Sequence, residues 1–384
     1  MDITATFTRF AKSEQFAGIL LIACTAMSLV LANSPLSSQY FALWHAPIGT
    51  LSLEHWINDG LMAVFFLLIG LELERELYVG ELSRPRNALL PVFAALGGMA
   101  VPAAIHLAFN AGTPTQPGFG IPMATDIAFA LGVLALLGSR VPPALKVFVV
   151  AFAVIDDLGA IVLIATVYTD AIAWSYLGLA LGTWAALIVL NRLRVMRLTV
   201  YLSGGVLMWI FLREAGIHAS IAGVLLAFSI PFTPKRAAEV SPSEKLEGAL
   251  HKPVAWVVLP LFALANTAVP IDSAAFARLT EANGIGIALG LVVGKPLGVA
   301  LCAALAVACR ICALPEGVRW THIVGAGLLG GIGFTMSIFI TNLAFADSLD
   351  LVNASKLAIL LASCVAAVSG LLWLRAVAPP PAAG

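Results

Sequence analysis

Charge is scarce in this sequence. Only 11% of its 384 residues are Asp, Glu, Lys or Arg, while 60% are hydrophobic. A soluble domain carries about 25% charge, and a soluble body of this size would have a large surface to cover. A water-soluble fold is therefore excluded, and the mean hydropathy of +0.99 puts the chain in the membrane class, with lipid as its surroundings. An excess of either sign is missing too. The 21 Lys and Arg balance 21 Asp and Glu, so there is no basic face and no nucleic-acid partner is expected. Cysteine is limited to Cys24, Cys302, Cys309, Cys312 and Cys364. Cys309 and Cys312 form a lone C-x-x-C without a second ligand pair, which reads as small residues at a helix end rather than as redox or zinc chemistry.

What is abundant is long apolar sequence. A bilayer-spanning helix needs about 20 apolar residues. Runs at roughly 15–32, 56–73, 88–109, 121–138, 144–168, 173–190, 199–212, 216–231, 253–270, 284–307, 321–345 and 356–378 predict about 12 spans, the seventh and eighth short. The first run follows Arg9 and Lys12 as the core of a signal peptide would. Its length, and the similar runs behind it, make a membrane anchor the simpler reading.

Basic residues test that count, because cytoplasmic loops hold their excess. Counted loop by loop, 17 of the 21 fall on one side, three (Arg213, Arg278, Lys356) on the other, and Lys295 lies inside a span. The alternation predicts an even number of spans with both termini cytoplasmic. The chain then reads as an all-α polytopic membrane protein, one integral membrane domain over residues 1–384. A small external hairpin is expected at about 44–55, and a cytoplasmic loop at about 232–252. Spans 3–5 and 10–12 run in opposite senses, as inverted triplets do in transporters.

Ionisable groups inside spans cost about 2.5–3.5 kcal/mol or more each, so those present are functional candidates. Asp156 and Asp157 stand mid-run in Phe152-Ala153-Val154-Ile155-Asp156-Asp157-Leu158-Gly159-Ala160. Adjacent helical residues point about 100° apart, so the two carboxylates cannot share one partner equally. Close carboxylates in a dry site resist joint ionisation, and Na⁺, a hard cation, prefers oxygen ligands. A proton and Na⁺ would compete for such a site, which is sufficient chemistry for exchange. Hydrogen bonding between helices averages only about 0.6 kcal/mol and does not account for two buried carboxylates.

Asp126 follows Pro122-Met123-Ala124-Thr125, residues that favour a break or a cap. The fourth span is expected to be interrupted there, with Asp126 either an ion ligand or a balance for helix-end charge. In the eleventh span, Gly325, Gly327, Gly330, Gly331 and Gly333 precede Phe334-Thr335-Met336-Ser337, which suits a second break or close packing. Gly286, Gly290, Gly294 and Gly298 leave one face of the tenth span bare. Lys295 beside that face needs an anionic partner, Asp156 or Asp157. Glu72, Glu74, Arg75 and Glu76 end the second span, and Glu247 and His251 open the ninth. They suit either a pH-sensitive funnel or ordinary interface charge.

The strings Ala124-Thr125-Asp126-Ile127-Ala128-Phe129-Ala130-Leu131-Gly132, Ile155-Asp156-Asp157-Leu158-Gly159-Ala160, Gly294-Lys295-Pro296-Leu297-Gly298 and Gly331-Ile332-Gly333-Phe334-Thr335-Met336-Ser337-Ile338 closely resemble the bacterial NhaA-type Na⁺/H⁺ antiporters. The resemblance runs in order from about Phe16 to Arg375. That family is itself a standard instance of inverted repeats and broken helices. The resemblance implies twelve spans, the fourth and eleventh unwound and crossing. It implies that Asp156 and Asp157 carry Na⁺, Li⁺ and protons, with Asp157 the more indispensable ligand. Thr125 and Asp126 match the unwound segment, and Lys295 the lysine that pairs with Asp156. Glu72, Arg75, Glu76, Glu247 and His251 match a pH-response cluster.

The implied activity is export of Na⁺ against a larger number of protons, for Na⁺ and pH homeostasis, by a homodimer in the bacterial inner membrane. Such a transporter is not an enzyme, and no cofactor is expected. Glu74, Glu244 and Gly248 depart from the family pattern outside the transport site and bear on its pH set-point. A Na⁺-coupled symporter is the alternative within transport, and Asp-Asp with Lys295, which handles protons, argues against it. An intramembrane aspartyl protease, from a different class, would need carboxylates that meet across a site; neighbours on one helix do not, and only Asp126 with Asp157 could.

Overall fold

The computed structural model describes residues 3–169, 172–233 and 240–377. In lipid every backbone polar group must be satisfied internally, and the apolar runs accordingly become helices. Eight are long and apolar enough to cross a membrane, or up to ten if each of two bent pairs is one span. The eight are Leu53–Tyr78, Ala88–Asn110, Gln116–Leu136, Pro143–Val167, Trp174–Arg192, Pro242–Asn266, Ala282–Ala308 and Leu349–Val377. The bent pairs are Phe16–Ala32 with Ser37–His45 and Trp320–Gly330 with Phe334–Ala344. The seventh and eighth apolar runs, short already in the sequence, yield the shorter helices Leu198–Glu214 (17 residues) and Ile221–Ala227 (seven). The chain is a multi-pass membrane protein, all-α among the described residues except for one ribbon. There Pro47–Ile48 pairs antiparallel with Leu51–Ser52 around Gly49, whose φ of 68° suits a hairpin turn.

Within 232–252, residues 234–239 lie outside the described residues. From Pro242 the segment is helical, not loop, because Ser241 and Glu244 form a reciprocal capping box that satisfies two free N–H groups.

The chain divides into two compact units. One comprises residues up to Ser37, Arg84–Ala160 and Asn266 onward; the other comprises Ser38–Ser83 and Ile161–Ala265. In the first, Pro85–Asn110 packs along Ala282–Ala308, and glycine makes the approach possible. Gly97 and Gly298 face each other so closely that a Cβ on either would strike the carbonyl oxygen of the other. Gly294 abuts Pro102, and Gly290 abuts Pro122. In the second, Gly223 presses on the backbone at Ala63, and a core of Leu71, Leu187, Tyr201, Met208 and Leu226 fills the interior.

Overpacking costs about 1–3 kcal/mol. Gly298→Leu is therefore expected to lower the melting temperature in detergent clearly. Gly178→Ala, whose Cβ meets nothing within 4 Å, should leave it unchanged or raised.

Candidate ion-binding site

Two helix breaks make the site. A tight 3-10 segment, Gln116–Met123, stops just past Pro122; Ala124 (φ −81°, ψ 149°) and Asp126 (φ −85°, ψ 100°) are extended, and Ile127–Leu136 resumes the helix. Trp320–Gly330 stops in the glycine cluster, and Phe334–Ala344 continues at 47° to it. A glycine run offers the backbone freedom and the low helix propensity that such a break needs. Each break frees amides and carbonyls, and the two breaks satisfy each other. The Asp126 N–H donates to Ile332 O at 2.6 Å, Thr125 Oγ1 to Gly330 O at 2.7 Å, and Ser337 Oγ to Ile121 O at 2.7 Å.

Asp126 caps both resuming helices. Its Oδ1 accepts from Phe129 N at 3.0 Å, while Oδ2 accepts from Thr335 N at 3.1 Å and from the Thr335 hydroxyl. Phe129 and Phe334 meet edge to face at 4.9 Å beside it.

Pro143–Val167 supplies Asp156 and Asp157, and Ala282–Ala308 supplies Lys295. Asp156 and Lys295 are 0% exposed, Asp157 1% and Asp126 2%. Lys295 Nζ donates to Asp156 Oδ1 at 2.9 Å and Oδ2 at 2.7 Å, and also to Met123 O at the first break. Its ammonium lies 5.8 Å from the centroid of Phe152, one turn before Asp156. Lys295 also lies within electrostatic reach of Asp157.

The structure thus brings Thr125, Asp126, Asp156, Asp157 and Lys295 into one buried region of the first unit, and of the two carboxylates open to Lys295 it pairs Asp156. The sequence reading assigned no role to Thr335, Ser337 or the Met123 carbonyl. The hydroxyls after the glycine cluster were a signal for the first two; a carbonyl carries none.

A second cluster forms in the other unit. Arg75 Nη1 lies 2.8 Å from Glu247 Oε1, and Arg75 Nη2 3.3 Å from Glu76 Oε1. Ser243 Oγ donates to Glu74 Oε2 at 2.7 Å, a buried contact absent from the sequence reading. Glu72 and His251 are half-buried on the same two helices, and His251 lies within electrostatic reach of Arg75.

These features first define a class: a multi-pass membrane protein with a buried ion pair and further carboxylates where two broken helices meet. The chain belongs to the Na⁺/H⁺ antiporter 1 family, whose model matches residues 8–374. It is 61% identical over 373 residues to the Na⁺/H⁺ antiporter NhaA of Dechloromonas aromatica, covering 97% of this chain and 96% of that one. It is 55% identical over 375 residues to the Na⁺/H⁺ antiporter NhaA 1 of Flavobacterium johnsoniae (98% of each). It is 46% identical over 421 aligned positions to the Na⁺/H⁺ antiporter NhaA of Helicobacter pylori (97% and 96%).

Breaking a buried pair from one side costs about 3–5 kcal/mol, whereas replacing both partners is often near neutral. Lys295→Met is expected to lower the melting temperature strongly, and Lys295→Met with Asp156→Asn to recover most of the loss. A double variant no more stable than the single one would contradict the pairing.

Proposed function

We propose that the chain is a secondary Na⁺(Li⁺)/H⁺ antiporter that exports Na⁺ in exchange for a larger number of protons. The observation that carries the reading is the fully buried Asp156–Lys295 pair next to a second buried carboxylate, Asp157. Its relatives carry the same activity in their names. In this reading Asp157 is the principal Na⁺ or Li⁺ ligand and Asp156 shares the cation. Lys295 is the cationic partner Asp156 keeps when no Na⁺ is bound. Thr125 and Asp126 complete the site from the neighbouring break.

A carboxylate holds a proton or a hard cation, not both. Na⁺ arriving from the cell interior expels protons from the site, and protons arriving from outside expel Na⁺. Obligate exchange follows once the site opens to one side at a time. Two carboxylates and a lysine offer more exchangeable protons than Na⁺ sites, in line with a proton excess per cycle.

The reading extends to the surroundings. Twelve spans with both termini cytoplasmic, triplets 3–5 and 10–12 inverted, a single membrane domain, a homodimer and the bacterial inner membrane complete the proposal. Glu72, Arg75, Glu76, Glu247 and His251 form its pH-responsive group, supported by the Arg75–Glu247 and Arg75–Glu76 pairs.

In everted vesicles, Na⁺ is expected to dissipate a respiration-generated pH gradient. Asp157→Asn should abolish the response. Asp350→Asn, which breaks an exposed pair with Arg278, should keep it. Equal activity in both variants would remove Asp157 from the site. Glu247→Gln is expected to shift the pH profile of the response while its maximum stays near wild type; an unmoved profile would take Glu247 out of the pH-responsive group.

A further inference from the structure

One buried polar cluster in the first unit belongs to neither group above. His106 Nε2 lies 3.1 Å from Asn283 Oδ1, and Asn283 Nδ2 donates to Ser355 Oγ at 2.8 Å. Asn110 Nδ2 donates to His106 O at 2.9 Å and to Ala282 O at 3.0 Å, while its Oδ1 accepts from Thr115 Oγ1 at 2.6 Å. Three helices meet here: Pro85–Asn110, Ala282–Ala308 and Leu349–Val377. His106, Asn110, Asn283 and Ser355 are all buried. Because the Asn283 amide nitrogen serves Ser355, its oxygen is the acceptor for His106, and this network puts the imidazole proton on Nε2. His106 Nδ1 is buried with no hydrogen-bond partner among the described residues. The imidazole therefore acts as a neutral, directional donor.

Polar groups are costly to bury, and this cluster sits where directionality is needed. The face that Ala282–Ala308 turns to Pro85–Asn110 carries Gly286, Gly290, Gly294 and Gly298. Glycines permit close contact, but they present no ridges to interlock with grooves and fix the register along the axis. A wide turn at Gly290–Gly294 interrupts the regular ladder between Asn283 and Lys295. The cluster holds the first residues of this helix, Ala282 and Asn283, about 18 Å along the axis from Lys295.

We propose that His106, Asn283 and Ser355, with Asn110, form a register lock. They are positioning residues that hold Lys295 at the depth of Asp156 and the Met123 carbonyl, and so set the Na⁺ affinity of the carboxylate site. The proposal rests on the antiport reading and adds to it residues outside the ion site.

The test is Na⁺-driven proton flux in proteoliposomes of the full chain. His106→Leu should raise the apparent KM for Na⁺ about fivefold, the effect of one neutral hydrogen bond, and Asn283→Leu, which loses its bonds to both His106 and Ser355, at least as much. Maximal rate per folded protein should stay near wild type, since the reacting groups remain. The double variant should be no worse than Asn283→Leu alone, because that change already removes the bond His106→Leu removes. His106→Gln, whose amide can donate to Asn283, should restore KM. If His106→Leu does not fold, Ser355→Ala gives the same readout with a smaller change. Reduced thermal stability with KM unchanged, or fold-changes that multiply in the double variant, would overturn the lock alone. Absence of flux in the wild-type chain would overturn the antiport reading, and the lock with it.

Discussion

A lysine ammonium with no access to water must meet negative charge and acceptor oxygens where it stands. Even after relaxation, taking such an ion out of water costs several kcal/mol, and so does burying the carboxylate opposite. Lys295 and Asp156 meet that cost together: both carboxylate oxygens accept from the ammonium, and the Met123 carbonyl accepts as well. An unbroken helix would engage that carbonyl with an amide four residues on. The break after Met123 is therefore part of what makes a buried lysine tolerable.

The same economy governs the opposite polarity. A helix N-terminus carries roughly half a positive charge. Two of them, at Ile127 and Phe334, converge on the Asp126 carboxylate, which accepts from Phe129, Thr335 N and the Thr335 hydroxyl. One full negative charge against two half charges is close to balance. The C-terminal sides of the breaks are balanced in turn, Met123 O by Lys295 and Gly330 O by the Thr125 hydroxyl. Broken helices are costly in lipid only where their ends are left alone. Here the ends are one another's partners.

This pattern also explains which parts of the molecule could be read in the sequence. Asp156, Asp157 and Lys295 are conspicuous because charge inside an apolar run has no cheap explanation. The break near Asp126 was legible because Pro122, Thr125 and Asp126 each resist helix for a separate local reason. Side-chain direction was not legible from the residues alone: adjacent carboxylates differ by about 100°, so the choice of Asp156 came from the family resemblance, and the position of Lys295 in the fold agrees with it. Asp126 stayed open between ligand and helix-end charge because Thr335, its main partner, lies 209 residues away. The Glu74–Ser243 contact and the His106–Asn283–Ser355 network were missed for the same reason, since the partners lie 169, 177 and 72 residues apart. Length was informative in one more place. The two runs that were short in the sequence gave Leu198–Glu214 and Ile221–Ala227, the latter only seven residues long.

Counting charge across the region leads to the chemistry. Asp126, Asp156, Asp157 and Lys295, all ionised, sum to two negative charges. The converging helix N-termini offset about one of them at Asp126. The balance, about one negative charge, falls on the Asp156–Asp157 side, where burial makes it costly to keep. A proton cancels it, and so does Na⁺ held by the same oxygens; on the proposed reading the further proton of each cycle belongs to the Asp156–Lys295 pair, which gives it up when Asp156 joins Asp157 on Na⁺. Because either suffices and both together would leave an excess of positive charge in a dry site, occupancy is mutually exclusive. On the proposed reading, coupling then needs no messenger between separate sites: the energetic penalty for an uncompensated carboxylate at Asp157 is itself what makes the entry of one ion the condition for the departure of the other.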